Sequence, residues 1–261
     1  MDTGPSFHRP DARLTGLVSH YWLSRNSAAG EHLVLPDGCV DLVLRVDRGA
    51  DFQAFGTRTR PSPVPVTAGA SYLGIRFRPG MNRHFRLPPG RLLANGQWAV
   101  SRPAGLHPDA LASRLSDPDL PEYLNRCLLW WLGRHPPARQ RLDIALRVAG
   151  SVDRSISVPA WADRANLSPR HLERLFREHL GLTPKTYLNI RRAQRALALL
   201  TREGERLTAG DAALAAGYAD QSHCTRDLRR YMGVTPGAPH LTEHDVAFVQ
   251  DLAPRPLQTR P

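Results

Sequence analysis

The chain has 261 residues, with 35 Lys or Arg against 24 Asp or Glu, a formal charge of +11 and a sequence pI of about 10.6. This length accommodates roughly two domains, and 41% hydrophobic with 23% charged residues excludes wholesale disorder and collagen-like architecture. No apolar run is long enough for a membrane span, the start Met1-Asp2-Thr3-Gly4-Pro5 lacks signal-peptide regions, and Cys39, Cys127 and Cys224 form no CxxC pair, so a cytoplasmic protein without disulfides, structural metal or cofactor is expected.

Residues 14–100 read as β. Leu33 to Leu35, Val40 to Val46 and Tyr72 to Phe77 are short apolar stretches, separated by turn chemistry at Pro36-Asp37-Gly38, Arg48-Gly49 and Arg78-Pro79-Gly80. Short strands punctuated in this way suit a small barrel or sandwich. Val40, Leu42, Leu44 and Val46 alternate with Asp41, Val43 and Arg45, so one face is apolar and the other mixed. Arg58 to Pro65, with proline at 61, 63 and 65, is expected to be a surface loop. Asp37, Cys39 and Asp41 share one side of the chain; the two carboxylates read either as catalytic groups or, for Asp37, as part of the Asp37-Gly38 turn and, for Asp41, as a partner for one of the many arginines. Tyr21, Trp22, Phe55 and Tyr72 are the candidate lining of a ligand pocket in this half.

From residue 108 the period changes. Pro108 to Leu115 and Pro121 to Arg134 each open on a proline suited to a first helical turn, and Leu124, Leu128, Trp131 and Leu132 form one stripe, core or dimer seam. Pro136-Pro137 then ends the helix. The expected organisation is a β-rich domain at 1–107, a helical connector at 108–138, an all-α domain at 139–241 and a tail at 242–261. Charge follows this division: 17 Lys or Arg face 10 Asp or Glu over 139–240, against 16 and 11 over the longer 1–138. Thirty-four of the 35 cations are Arg, which a GC-rich genome also produces, so the distribution is more informative than the total. It favours a polyanion partner for the C-terminal region.

Within that region the same plan occurs twice. Trp161, Ala162 and Ala165 make a short apolar helix, Asn166-Leu167 a turn, and Ser168 with Pro169 opens a second helix whose inner face is Leu172, Leu175, Phe176 and Leu180. Its outward residues are Arg170, His171, Glu173, Arg174 and Arg177. Thr208 with Asp211 caps another apolar helix, Gly217-Tyr218 turns the chain, and Asp220 caps a helix through Met232 with Gln221, Ser222, His223, Thr225, Arg226 and Arg229 outward. Two helix-turn-helix units, each with a polar and basic second helix, are expected. The helix between them, Pro184 to about Leu200, is roughly 25 Å long at 1.5 Å per residue. Successive major grooves on one face of DNA lie about 34 Å apart, so the two second helices suit adjacent grooves of a double-stranded promoter element. Arg174 and Arg226 offer the fork that fits guanine, Gln221 fits adenine, and Ser222 and Thr225 serve bases or phosphates. Arg192 and its neighbours suit phosphates.

At these residues the chain resembles the C-terminal DNA-binding domain of the AraC/XylS family of bacterial transcription regulators. The resemblance covers about 140–240 and is most specific at Gly217-Tyr218-Ala219-Asp220-Gln221-Ser222-His223, Thr225-Arg226 and Gly233-Val234-Thr235-Pro236. Leu167 to Leu172, Arg174, Phe176, Gly181 and Thr183-Pro184 agree in the first unit. Cys224, Leu228 and Ala212 stand where the family has larger side chains, which implies a weaker second unit unless Tyr218, Tyr231 and Met232 refill the space. Residues 15–100 resemble an N-terminal domain of some of these regulators, through Tyr21-Trp22, Leu35 to Leu42 and Gly74 to Gly80, which implies a cupin-like β-barrel that senses or dimerises. The fold class expected is thus α+β, a cupin-like barrel plus an all-α double helix-turn-helix domain. A small-molecule effector, a second copy of the chain and RNA polymerase are the further candidate partners. A cupin-like enzyme with a DNA-binding appendage is the rival reading, for which no catalytic residue is assigned.

Overall fold

The computed structural model describes residues 5–138, 140–151, 156–201 and 207–237; the expected tail at 242–261 lies outside them. Eight strands come first: β1 (Ser6–His8), β2 (Val18–Arg25), β3 (Gly30–Val34), β4 (Val40–Val46), β5 (Ala50–Phe55), β6 (Ser62–Val66), β7 (Ser71–Phe77) and β8 (Gln97–Val100). Six of them form one antiparallel sheet in the order β1-β2-β7-β4-β5-β8, while β3 and β6 pair separately as a ribbon. The expected β-rich half is present, but its sheet is not closed into a barrel: β1 and β8 are its two edges.

The proline-rich segment expected as a loop contributes β6, where Pro63 stands opposite Leu33 and Pro65 opposite Glu31. A two-stranded ribbon turns every second N–H away from the partner, and prolines two residues apart can both occupy such positions without losing a ladder bond. The short helix α1 (Gly90–Leu93) precedes β8, and α2 (Pro108–Ala112) and α3 (Leu120–Arg134) follow it. Leu124, Leu128 and Trp131 are buried against Val40, Leu42, Leu44, Ile75 and Phe77, so the stripe on α3 is core for one face of the sheet. The Trp131 indole N–H donates to the His84 carbonyl at 2.9 Å, satisfying its polar edge.

The remaining elements are α4 (Arg141–Ser151), α5 (Val158–Arg164), α6 (Pro169–Leu180), α7 (Pro184–Leu200), α8 (Ala209–Ala216) and α9 (Gln221–Asp227), which runs into a π-helical turn at Leu228–Met232. The capping chemistry accounts for the boundaries. Ser168 accepts from the His171 amide, Thr183 from Thr186, Thr208 from Asp211 and Asp220 from His223. Asn166, Gly181 and Gly217 carry positive φ at the turns that follow α5, α6 and α8. Ser168→Ala is expected to cost about 0.5–2 kcal/mol in a urea melt, the usual worth of an N-cap.

A second core gathers Trp161, Leu172, Phe176, Tyr187, Ile190 and Leu197 with the second unit's Cys224 and Leu228. Tyr218, Tyr231 and Met232 are buried in that same cluster.

Candidate nucleic-acid interface

Helix α6 exposes Arg170, Glu173, Arg174 and Arg177, while His171 is half-buried at its start. Arg177 is held by the Glu173 carboxylate through Nε at 3.1 Å and Nη2 at 2.9 Å, whereas Arg170 and Arg174 have no ion pair among the described residues. Glu173 therefore orients one cation of the face and leaves Arg174 its fork. Arg91 of α1 joins this surface: its Nε lies 2.9 Å from Glu178 Oε1, and it lines a shallow groove with Arg170, Arg174 and Arg177. Nothing in the sequence pattern marked Arg91, which lies far away along the chain.

Helix α9 exposes Gln221, Ser222 and Arg226, and the π-helical turn that follows it exposes Arg229. The Thr225 hydroxyl donates back to the Gln221 carbonyl at 2.9 Å, which turns it along the helix. His223 has a packing role. Its ring meets Tyr218 edge-on at 5.2 Å and its Nε2 lies 3.6 Å from Asp227, whose carboxylate also accepts from the Tyr218 hydroxyl at 3.2 Å. Arg192 on α7 lies over the Tyr218 ring at 5.2 Å and donates to Asn189 at 2.6 Å, tying the strut to the turn of the second unit. Of the residues singled out on the second helices and strut, eight form two exposed polar faces, while Arg192 ties α7 to the second unit and His223 packs within that unit.

The candidate ligand lining divides differently. Trp22, Phe55 and Tyr72 line a cavity of about 590 Å³ between the sheet and the β3–β6 ribbon. Tyr21 does not: neighbours on a strand point to opposite faces, and Tyr21 is buried on the helical side with its hydroxyl donating to Asn125 at 2.8 Å. The Trp22 indole lies over Gly74, where an added Cβ would come within 1.9 Å of Trp22 Cε2. Glycine is thus needed there for close approach rather than for its dihedral angles. Asp37 and Asp41 both pair with the buried Arg76, Asp41 at 2.9 Å, and Asp41 also accepts from the Trp22 indole at 3.3 Å. Burial pushes the Asp41 carboxyl up to about 7, opposed by the indole hydrogen bond. The carboxylates that could have read as catalytic are the two arms of one ion-pair cluster.

Residues 161–238 match the helix-turn-helix domain family and residues 6–97 a domain of unknown function, DUF6597. The chain is 39% identical over 82 residues to the HTH-type transcriptional activator RhaS of Escherichia fergusonii, covering 31% of this chain and 29% of that one. It is 29% identical over 170 residues to the transcriptional activator RhaR of Enterobacter sp., covering 60% and 59%. These matches therefore span less than two thirds of the relatives' lengths. A solved transcriptional regulator from Chromobacterium violaceum, described as AraC-type, is 26% identical with a TM-score of 0.35, covering 44% of this chain and 95% of that one. Among the described residues no helix is long and apolar enough to cross a membrane. Residues 161–238 therefore carry a helix-turn-helix domain similar to those of these bacterial transcription regulators.

Proposed function

We propose that the chain is a transcription regulator that reads a double-stranded promoter element with α6 and α9 in adjacent major grooves, under the control of its N-terminal half. The observation that carries this is the pair of exposed faces, Arg170 and Arg174 on α6 and Gln221, Ser222 and Arg226 on α9, on the helices that precede and follow α7 along the chain. Each face follows a capped helix start, where orphan amides and the helix dipole favour a phosphate, so positioning and reading groups lie side by side. An enzyme with a DNA-binding appendage draws no support from Asp37 and Asp41, since Arg76 engages both.

Selection of bound DNA from a random pool, followed by affinity measurements across salt concentrations, tests the reading. A single preferred element with affinity falling steeply in salt is expected. Arg226→Ala is expected to cost about 1–3 kcal/mol on that element and to relax selectivity at one base pair. Arg192→Ala, which removes the tie to Tyr218, should weaken every DNA sequence alike. Equal losses on preferred and random DNA for Arg226→Ala would remove it from the reading residues.

A further inference from the structure

In the cavity beneath the β3–β6 ribbon one arginine stands apart from the ion pairs among the described residues. Arg76 engages Asp37 and Asp41, Arg45 engages Asp47 and Asp51, and Glu31 is exposed. Arg58 also lines the cavity, is only 8% exposed, and has no ion pair or hydrogen bond from its guanidinium among the described residues. An unpaired buried cation is costly, and burial alone holds this guanidinium below its ordinary pKa. Its backbone is nonetheless fixed on both sides: the Thr57 hydroxyl donates to the Leu180 carbonyl at 2.7 Å, and the Thr59 amide donates to Asn95 at 2.8 Å. A charge held in so costly a place fits an anion that completes it.

A second orphan lies in the same cavity. Gln194 belongs to α7, the strut between the two reading helices, and is 4% exposed. Its Nε2 donates to the Pro36 carbonyl at 2.9 Å, whereas its Oε1 is buried without a partner and calls for a donor. The remaining walls are largely apolar, with Trp22, Phe55, Tyr72, Val43, Leu35 and Val64.

We infer that this cavity binds a small organic acid that also carries a hydroxyl or amine donor, its anionic group on Arg58 and its donor on Gln194 Oε1, and that α7 links its occupancy to DNA affinity. The inference rests on the reading of the chain as a DNA-binding regulator for its second half only; acid binding stands apart from it. The acid completes two polar groups that folding leaves unsatisfied, its apolar body fills the space beside Trp22 and Tyr72, and its donor touches the helix that spaces α6 and α9. Since binding free energies are reciprocal, an acid that bears on α7 must alter the affinity for DNA as DNA alters the affinity for the acid.

The test uses the full chain and 2-hydroxy acids from lactate to 2-hydroxy-3-phenylpropanoate, read by calorimetry and thermal melting. The larger aromatic acid is expected to bind and raise Tm, its methyl ester to do neither, and 3-phenylpropanoate, which lacks the hydroxyl, to bind more weakly. Arg58→Met is expected to raise the Tm of the unliganded chain while weakening the acid at least about tenfold, with Arg58→Lys recovering part of the affinity. That pairing of gained stability with lost binding is the reverse of what a structural arginine would give. On the DNA element selected from the random pool, the acid is expected to change Kd about fivefold or more in the wild-type chain and to leave it unchanged in Gln194→Met. Failure of every acid to bind, esters binding as tightly as acids, or unchanged acid affinity in both Arg58 variants would overturn the anion site. Acid binding without any change in Kd for the selected DNA would overturn the link through α7. Absence of a selected DNA element would instead overturn the regulator reading, with the calorimetric arm still deciding the site.

Discussion

Arg76→Met should destabilise the protein by about 3–5 kcal/mol at pH 8, the cost of removing one partner from a buried charge cluster. Arg76 is 5% exposed and is the shared counter-ion of Asp37 and Asp41, which arrive from the turn before β4 and from β4 itself. Asp37 also accepts from the Cys39 amide at 2.8 Å, so the ion pair and the turn geometry at Gly38, with φ of 80°, are set together. Methionine has nearly the length of the arginine stem and fills the space, which confines the loss to charge. Both carboxylates then remain buried with no cation between them.

The pH dependence of that loss has a definite sign. Burial already places the Asp41 pKa at about 7, above its unfolded value, so between the two values the folded chain holds a proton that the unfolded chain releases. This carboxyl's contribution is therefore fully present below the unfolded pKa and is lost as pH rises through about 7. Removing the cation raises the folded pKa further, so the difference between wild type and Arg76→Met should shrink as pH falls below about 7. Urea melts of both chains at pH 5 and pH 8 measure it. A difference that is equal at the two values, or larger at pH 5, would show that the variant suffers from lost packing rather than stranded carboxylates.

The same cluster shows what the sequence could and could not disclose. Strand β4 was legible from its alternation, and its boundaries agree with the pattern, because a strand with one buried face writes that face every second residue. The caps at Ser168, Thr208 and Asp220 and the glycine turn at 217 were legible for a similar reason: each solves a local problem of orphan amides or positive φ. Pairing Asp41 with an arginine was open among the readings, but which of 34 arginines could not be read from spacing, since Arg76 reaches it by strand register between β4 and β7, and the second carboxylate, Asp37, reads from the sequence only as a turn residue or catalytic group. The β3–β6 ribbon was obscured by prolines whose tolerance depends on which side of the strand is bare. Gln194 left a trace: it falls seven residues after Tyr187 and four after Ile190, a polar residue on the inward stripe of α7. Arg58 left none, because its burial comes from contacts with segments far along the chain.

Gly90→Ala is expected to lift the N-terminal half off the end of α6. A Cβ at 90 would lie 2.2 Å from the His179 carbonyl oxygen and 2.5 Å from the Leu180 carbonyl carbon, and at Gly181 one would lie 2.5 Å from the Gly90 oxygen. These are backbone atoms at the close of a capped helix, so no change of rotamer relieves the clash. Helix α1 must retreat, and with it go the Thr57 bond to the Leu180 carbonyl and the Arg91 pair with Glu178. Overpacking of this kind costs about 1–3 kcal/mol. The second core should survive it, because among the described residues Leu35 is its only buried member from before residue 140. For that reason we also propose that residues 139–241 fold as a unit and that this fragment binds the same DNA element as the full chain. Hydrogen exchange should then rise in Gly90→Ala at 90–96 and 179–182 and stay unchanged at 187–197, while the affinity for the selected element follows the fragment rather than the intact chain. Loss of protection throughout α7 would mean instead that the helix-turn-helix units depend on the sheet for their fold, and the fragment should then fail to bind DNA selectively.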